Sequence, residues 1–324
     1  MDQLEKIKKP VHSDLEKYNA FYRDVLQDNY KRIQAINKYI LKQKGKLMRP
    51  TLVFLSARLF SEPTINTTRS AAALEMLHNA TLIHDDVIDE THERRGLLSI
   101  NAIWNNKNAI LMGDYLLSTS LTLSVDTREF DFLEIMSNLG KTLSKGEILQ
   151  MEKTKTLDIT EEEYFEIIKM KTAILFSCCA KAGAISVNAS KEDMLKMEEM
   201  GTALGLAFQI KDDIFDYQTK GFIGKPTGND LKEKKLTLPL IYALKKVDDH
   251  KRQSIIKSIK RYNQNSRKMN EVIRFAVLEG GIEYAESVID REIAKAHAIL
   301  DTYPDGDIKT SLTEFIDFTV NRIK

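Results

Sequence analysis

Apolar residues along this chain recur every three or four positions. From 20 to 41, Phe21, Val25, Leu26, Tyr30, Ile33, Ile36, Ile40 and Leu41 fall on one stripe, the spacing of a single helical face. Strict alternation, the mark of a half-buried strand, is nearly absent. Pro50 sits where a first-turn proline opens a helix through Phe60. Asn66 or Thr67 is placed to cap a long helix running to about Asp89. Gly113, Gly140, Gly146, Gly183, Gly201 and Gly205 read as punctuation of later helices. The Lys- and Arg-rich stretch 245–270 reads as a solvated helical face. The pattern predicts an all-α protein of many helices.

Composition sharpens this picture. Gly and Pro number 14 and 6 in 324 residues, roughly half of average usage, so turns are few and the segments between them long. With 48 basic and 47 acidic residues the net charge is +1, and no global field draws the chain to nucleic acid or to an acidic membrane. Function by charge must then be local. Apolar runs are interrupted well short of a membrane span, so no transmembrane segment is expected. The start, M-D-Q-L-E-K-I-K-K-P-V-H, lacks an apolar signal region. Cys178 and Cys179 are adjacent, which suits buried thiols in a reducing compartment better than a mutual disulfide. These features predict a cytoplasmic protein. No repeat or linker interrupts residues 1–324, so one domain is expected. The clearest irregular stretch, Q-T-K-G-F-I-G-K-P-T-G-N-D at 218–230, reads as a functional loop.

Charge is concentrated in two short stretches. The pattern D-D-x-x-D occurs at Asp85, Asp86 and Asp89, and again at Asp212, Asp213 and Asp216. On a helix the first and last of each set share a face. At about 4 Å a carboxylate pair repels by roughly 4 kcal/mol under an effective dielectric near 20. Nothing in the apolar flanks offsets that, whereas a cation would. Carboxylate oxygens suit hard divalent ions, and Mg²⁺ takes one or two of them while bridging to substrate phosphates. Two such helices across a cleft would hold several Mg²⁺ around one diphosphate. One copy alone would read as a solvated acidic turn; two copies in apolar helices point to metal. The glycine and terminal glutamate of a calcium loop are missing. Arg94 and Arg95 follow the first set at a distance suited to bidentate phosphate clamping. Lys46, Arg49, Lys171, Lys225 and Lys235 are each ordinary surface charges taken singly and gain meaning as an ensemble.

Together these residues resemble the trans-isoprenyl diphosphate synthases, or polyprenyl synthetases. The resemblance runs by motif from about Gly45 to Leu240. It rests on G-K-L-M-R-P (45–50), D-D-V-I-D-E-T-H-E-R-R-G (85–96), M-G-D-Y (112–115), G-E-I-L-Q (146–150), K-T (171–172), F-Q-I-K-D-D-I-F-D (208–216) and G-K-P-T-G-N-D-L with K-L-T-L-P-L (224–240). Lys44 and Lys234 stand where glycines are common, which touches local loop geometry only. The resemblance implies a single-domain, mostly antiparallel helix bundle around a deep central cavity, the isoprenoid synthase type, and a homodimer. It implies head-to-tail condensation of an allylic diphosphate with isopentenyl diphosphate, with Mg²⁺ as cofactor.

Carried over by position, Asp85, Asp89 and Asp212 look like direct Mg²⁺ ligands, while Asp86, Asp213 and Asp216 act mainly through water or from behind. Arg94, Lys171, Lys225 and Lys235 look like contacts to the allylic diphosphate. Lys46, Arg49, His78 and Arg95 look like contacts to isopentenyl diphosphate. A lone histidine on an apolar helix is ordinarily a core residue, and only its motif position singles out His78. Gln209 and Thr172 would face the allylic cation with weak dipoles. No dedicated protein base is evident, and in the family the departing diphosphate takes the final proton.

Product length is read from the helix before the first acidic set. Thr81 and Ala80, four and five positions before Asp85, are small where short-chain enzymes often carry aromatics. The channel would then run past Leu77 and Leu74, about 10 Å along the helix from Thr81, which predicts a long-chain product of the quinone side-chain type. The floor of that channel falls to Phe132, Met136 or other residues, and a farnesyl or geranylgeranyl diphosphate synthase, its floor set by larger residues deeper in the cavity, is the nearest alternative. A terpene cyclase would usually lack the complete second motif, and a non-catalytic regulatory subunit would typically lose one motif.

Overall fold

The structure, a computed structural model, describes residues 3–43, 45–94, 96–217 and 228–321. Helices carry nearly all of it. In chain order they are α1 Gln3–Lys8, α2 His12–Val25, α3 Lys31–Lys42, α4 Met48–Arg58, α5 Ile65–Ile88, α6 Ile100–Asp126, α7 Phe130–Thr156 and α8 Glu161–Ile168. There follow α9 Ile174–Ile185, α10 Lys191–Phe215, α11 Asn229–Lys232, α12 Leu238–Lys245, α13 Asp249–Tyr262, α14 Ser266–Leu278, α15 Gly281–Leu300 and α16 Asp307–Asn321. The all-α expectation holds, with one small exception. Strands β1 (Glu93–Arg94) and β2 (Leu97–Leu98) pair antiparallel, Arg94 opposite Leu97, and Gly96 between them takes φ +75, a conformation that favours glycine.

Three local expectations are corrected. The stripe from 20 to 41 is two helices, α2 and α3, not one. Asp28 Oδ1 accepts the Tyr30 N–H at 2.7 Å, and Asn37 Nδ2 donates to the Leu26 carbonyl at 2.8 Å. Side chains thus take over backbone partners that a continuous helix would have used, and Tyr30 is exposed. The cap of α5 is Thr64, not Asn66 or Thr67. Its hydroxyl accepts the amides of Asn66 and Thr67, and Thr67 returns the bond to the Thr64 N–H, a capping box. The six later glycines lie inside helices rather than between them. Several are there because a neighbour lies where a Cβ would be: at Gly113 the Cβ would meet His84 Nε2 at 2.2 Å, and at Gly183 the Val53 carbonyl oxygen at 2.4 Å. The solvated reading of 245–270 holds along α13, where Ile259 is the sole buried residue.

The chain gathers into two compact units. The first comprises Met1–Gly140, Cys178–Glu198 and Pro304–Phe315; the second comprises Lys141–Ser177, Glu199–Tyr303 and Ile316–Lys324. In the first unit α5 and α6 pack along their lengths, and α4 is buried from Pro50 to Ala57. The core of the second unit joins Tyr164, Ile210, Ile214, Leu238, Ile273 and Val288. Cys178 and Cys179 are free and buried. Burial pushes both thiols up, Cys178 to about 12, so they serve packing, as expected. Among the described residues no helix is long and apolar enough to cross a membrane.

Candidate active site

In the first unit the acidic residues sit at the wrong end of their helix. Asp85 and Asp86 occupy the last turn of α5, and Asp89 is its C-cap. There the helix dipole is already negative, so each carboxylate is disfavoured by its own helix. The turn is closed by Thr91 N–H to the Asp86 carbonyl at 2.9 Å and Glu90 N–H to Val87 at 3.4 Å, with Glu90 at φ +51. This is a Schellman motif with a glutamate where glycine is usual. Asp86 is buried and turned inward: Arg94 donates to its Oδ1 through Nε at 2.8 Å and Nη2 at 2.7 Å. The β1–β2 ribbon therefore returns Arg94 onto the acidic turn. Asp85 is half-buried and Asp89 exposed.

Lys46 and Arg49 flank Leu47, which takes φ +53 as the N-cap of α4. Such a conformation in a leucine stores strain. Thr51 holds it by donating N–H at 3.0 Å and Oγ1 at 2.7 Å to the Leu47 carbonyl. Lys46 is exposed and Arg49 half-buried, with Nη1 4.0 Å from Glu75 Oε2 on α5. His78 follows one turn on and is half-buried. Leu77 and Ala80 are buried, and half-buried Thr81 donates its hydroxyl to the His78 carbonyl at 2.8 Å. Arg95 lies outside the described residues.

In the second unit the chain from α8 to α9 passes through a π-helical turn, Lys169–Ala173, a rare form frequently found at functional sites. It carries Lys171 and Thr172. Two glycines let it approach its neighbours. A Cβ on Gly146 would meet Lys171 Cγ and Met170 Cβ at 2.9 Å, and one on Gly205 would meet Ala173 Cα at 2.4 Å. The approach of α10 brings Thr172 Oγ1 to Gln209 Oε1 at 2.6 Å, while Gln209 Nε2 donates to Asp213 Oδ1 at 2.7 Å. Tyr164 Oη donates to Asp213 Oδ2 at 2.6 Å, wholly buried. Lys171 Nζ donates to Gln150 Oε1 at 2.8 Å and pairs with Glu147.

Asp212 and Asp213 are again in a last turn, that of α10, with Asp216 just beyond. Asp216 Oδ2 accepts the Asp230 N–H at 2.7 Å, at the start of α11. That helix ends in a second Schellman motif: Lys235 N–H bonds the Asp230 carbonyl at 2.7 Å and Lys234 N–H that of Leu231 at 3.1 Å. Lys234 takes φ +60 there, which is why a glycine is common at this position. A cavity of about 170 Å³ opens among these groups, lined by Lys153, Lys171, Thr172, Gln209, Asp213 and Lys235, with Asp230 and Tyr164. Lys225 lies outside the described residues.

Burial pushes the Asp213 carboxyl up to about 7; Asp212 and Asp216 push the same way, and the Tyr164 and Gln209 hydrogen bonds pull against it. Asp230 is also raised, first by burial and then by Asp213 and Asp216. The sign of the stability effect follows. A carboxyl whose folded pKa lies above its unfolded value near 3.9 contributes stability that is fully present below about pH 4 and lost as pH rises through about 7. Metal-free protein should therefore lose about 1–2 kcal/mol from this group between pH 6 and pH 8.5. Thermal melts in chelator should show wild type declining over that range more than Asp213→Asn. Parallel declines would refute the assignment.

Of the residues singled out from sequence, Lys171, Thr172, Gln209, Asp213 and Lys235 come together around one cavity of the second unit. Asp85, Asp86, Asp89 and Arg94 come together in the first. Among the described residues no three carboxylate, histidine or cysteine side chains already converge as a metal cage. Sequence reasoning missed Tyr164, Gln150 and Asp230 as contributors. Gln150 and Asp230 lay inside motifs without an assigned role. Tyr164 lay in none, and a buried carboxylate's need for a donor was its only trace.

The Polyprenyl synthetase family profile matches residues 30–276. The chain is 33% identical to the octaprenyl diphosphate synthase of Escherichia coli strain K12, over 98% of this chain and 99% of that protein. A decaprenyl diphosphate synthase from Rhodobacter capsulatus shares its structure with a TM-score of 0.93 at 32% identity, covering 99% of each chain. A geranylgeranyl pyrophosphate synthase from Bacteroides thetaiotaomicron gives 0.86 at 38% identity, over 99% of this chain and 100% of that one. With the lysines, the threonine–glutamine pair and the acidic helix ends arranged as above, this chain belongs to the polyprenyl synthetase family of trans-prenyltransferases.

Proposed function

We propose that the chain is a Mg²⁺-dependent polyprenyl diphosphate synthase that condenses isopentenyl diphosphate head-to-tail with an allylic diphosphate. The observation that carries this reading is the second-unit cavity, where Lys153, Lys171 and Lys235 converge beside Asp213, Asp230 and the Thr172–Gln209 pair. Lysines neutralise a leaving diphosphate, and the threonine and glutamine oxygens suit an allylic cation while offering no strong nucleophile. Both acidic sets fit Mg²⁺. Their donors are all carboxylate oxygens at helix ends of negative potential, and an ion that completes its shell with phosphate and water needs no preformed cage. When bound, Mg²⁺ supplies charge neutralisation of the departing diphosphate. Asp85 and Asp89 in the first unit, and Asp212 in the second, are assigned as its ligands. Asp86 is engaged with Arg94, Asp213 with Tyr164 and Asp216 with the Asp230 amide, so these three would orient rather than ligate. Lys171, Lys235, Lys225 and Arg94 are assigned to the allylic diphosphate, and Lys46, Arg49, His78 and Arg95 to isopentenyl diphosphate. Mg²⁺-dependent incorporation of labelled isopentenyl diphosphate by the purified chain tests the reading. A chain inert with every allylic primer from dimethylallyl to geranylgeranyl diphosphate would refute it.

Small residues at Ala80 and Thr81 support a long-chain product, as do the names of the octaprenyl and decaprenyl relatives. The geranylgeranyl synthase at 38% identity favours a shorter product as second reading. Thr81→Phe should shift the chromatographic profile to shorter chains by several isoprene units. This position is half-buried and tolerates the ring better than Ala80, which is 1% exposed. An unchanged profile would remove the channel from this face of α5.

A homodimer is proposed on the exposed face of α6. Ile110, Leu111, Leu121 and Val125 stand exposed, Leu111 at 67%, within an arc of about 100° on one helix. Such an apolar patch marks an interaction site. Leu111→Glu should shift sedimentation from dimer to monomer; a wild type that sediments as monomer sinks the proposal.

A further inference from the structure

We propose that Tyr164, which neither acidic motif nor any lysine contact includes, is a positioning residue that sets which way the Gln209 and Thr172 dipoles point. This rests on the function proposed above and deepens it. The hydrogen bonds form one directed chain. Thr172 Oγ1–H donates to Gln209 Oε1 at 2.6 Å, Gln209 Nε2–H to Asp213 Oδ1 at 2.7 Å, and Tyr164 Oη–H to Asp213 Oδ2 at 2.6 Å. Every proton in the chain points towards Asp213. What remains at the other end, Thr172 and the Gln209 carbonyl, is lone pairs, and both residues line the cavity.

An allylic cation needs acceptors nearby and is repelled by donors. The amide of Gln209 has one of each and can rotate by half a turn. Asp213 fixes that choice because its Oδ1 accepts the Gln209 Nε2–H while its Oδ2 takes the Tyr164 hydroxyl. Tyr164 fixes Asp213 in turn. It is 3% exposed on α8, packed edge to face against Phe165 at 5.5 Å, and its hydroxyl occupies the second carboxylate oxygen. With Tyr164 removed, one oxygen of Asp213 is left buried without this donor and the carboxylate gains a rotation. The amide of Gln209 then loses its single orientation. The lysines that hold phosphate, Lys171 and Lys235, have other partners: Gln150 and Glu147 for the first, Glu233 for the second. Substrate affinity should therefore be untouched while turnover falls.

The test is a double-mutant cycle on the full chain with Mg²⁺, isopentenyl diphosphate and an allylic primer. Tyr164→Phe should lower kcat about ten- to hundredfold, with both KM values and the Mg²⁺ concentration for half-maximal rate unchanged. Gln209→Leu should lower kcat by a similar factor, and the double variant should be no slower than Gln209→Leu alone. A residue that merely supports the fold would give multiplied losses, and that outcome overturns the proposal. So does a Tyr164→Phe enzyme with normal kcat, or one whose loss lies in the Mg²⁺ requirement. If Tyr164→Phe proves unfolded by thermal denaturation, Gln209→Glu replaces it. That variant keeps the shape but sets an acceptor against Asp213, and normal kcat in it also overturns the proposal. A wild type that turns over separates failure of this inference from failure of the function itself; an inert wild type removes both.

Discussion

Asp212→Asn is expected to lower kcat/KM by about 10³-fold, the scale seen when one preorganised electrostatic contact to a developing charge is lost. Asp85→Asn should behave alike. Each substitution keeps the side chain's size and removes one negative charge from the last turn of its helix, α10 or α5. The same change should leave metal-free stability unaltered or slightly raised, because a carboxylate at a helix C-terminus opposes the dipole and its acidic neighbours. Activity and stability are thus predicted to move in opposite directions, which an effect through misfolding would not do. Steady-state rates across a Mg²⁺ titration, paired with thermal melts in chelator, make the comparison. Rates within tenfold of wild type at saturating Mg²⁺ would take these carboxylates out of the metal site. A lower melting temperature would show them to be structural.

The second large effect concerns a glycine. Gly205→Ala is expected to cost about 3 kcal/mol, near the upper range for overpacking, and to reduce turnover in whatever protein remains folded. The added Cβ would lie 2.4 Å from Ala173 Cα and 3.1 Å from its carbonyl oxygen. These are backbone atoms of the π-helical turn, so relief must come from moving the turn itself. That movement separates Thr172 from Gln209, which now meet at 2.6 Å. Gly140→Ala provides the contrast. It too lies inside a helix, α7, but nothing stands within 4 Å of its Cβ position. It should stabilise by about 0.5–1 kcal/mol through helix propensity alone. Chemical denaturation of the two variants decides the matter, and equal effects would mean that close approach at Gly205 has no energetic weight.

These glycines show where reading the sequence stopped short. A glycine that breaks a helix and one that lets two helices touch look alike in a string of residues, since the difference lies in what stands opposite. Gly113, Gly146, Gly183, Gly201 and Gly205 are of the second sort. The break between α2 and α3 was hidden for the opposite reason. The apolar spacing continues through it, and only the bonds of Asp28 and Asn37 interrupt the backbone. Lys234 was legible in part: its place where glycine is common pointed to loop geometry, and its φ of +60 at the end of α11 explains it.

The helical class, the two acid-bearing helix ends and the lysines beside the second were legible from residue order, because periodicity and local charge density are properties of neighbours along the chain. Tertiary structure alone decided the fate of each carboxylate. Asp86 turns to Arg94, Asp213 to Tyr164 and Asp216 to the start of α11. Tyr164 and Asp213 are 49 positions apart. No spacing rule links residues so distant. Their bond exists because packing buries an acid that must then find a donor, and which donor arrives is settled by the shape of the core.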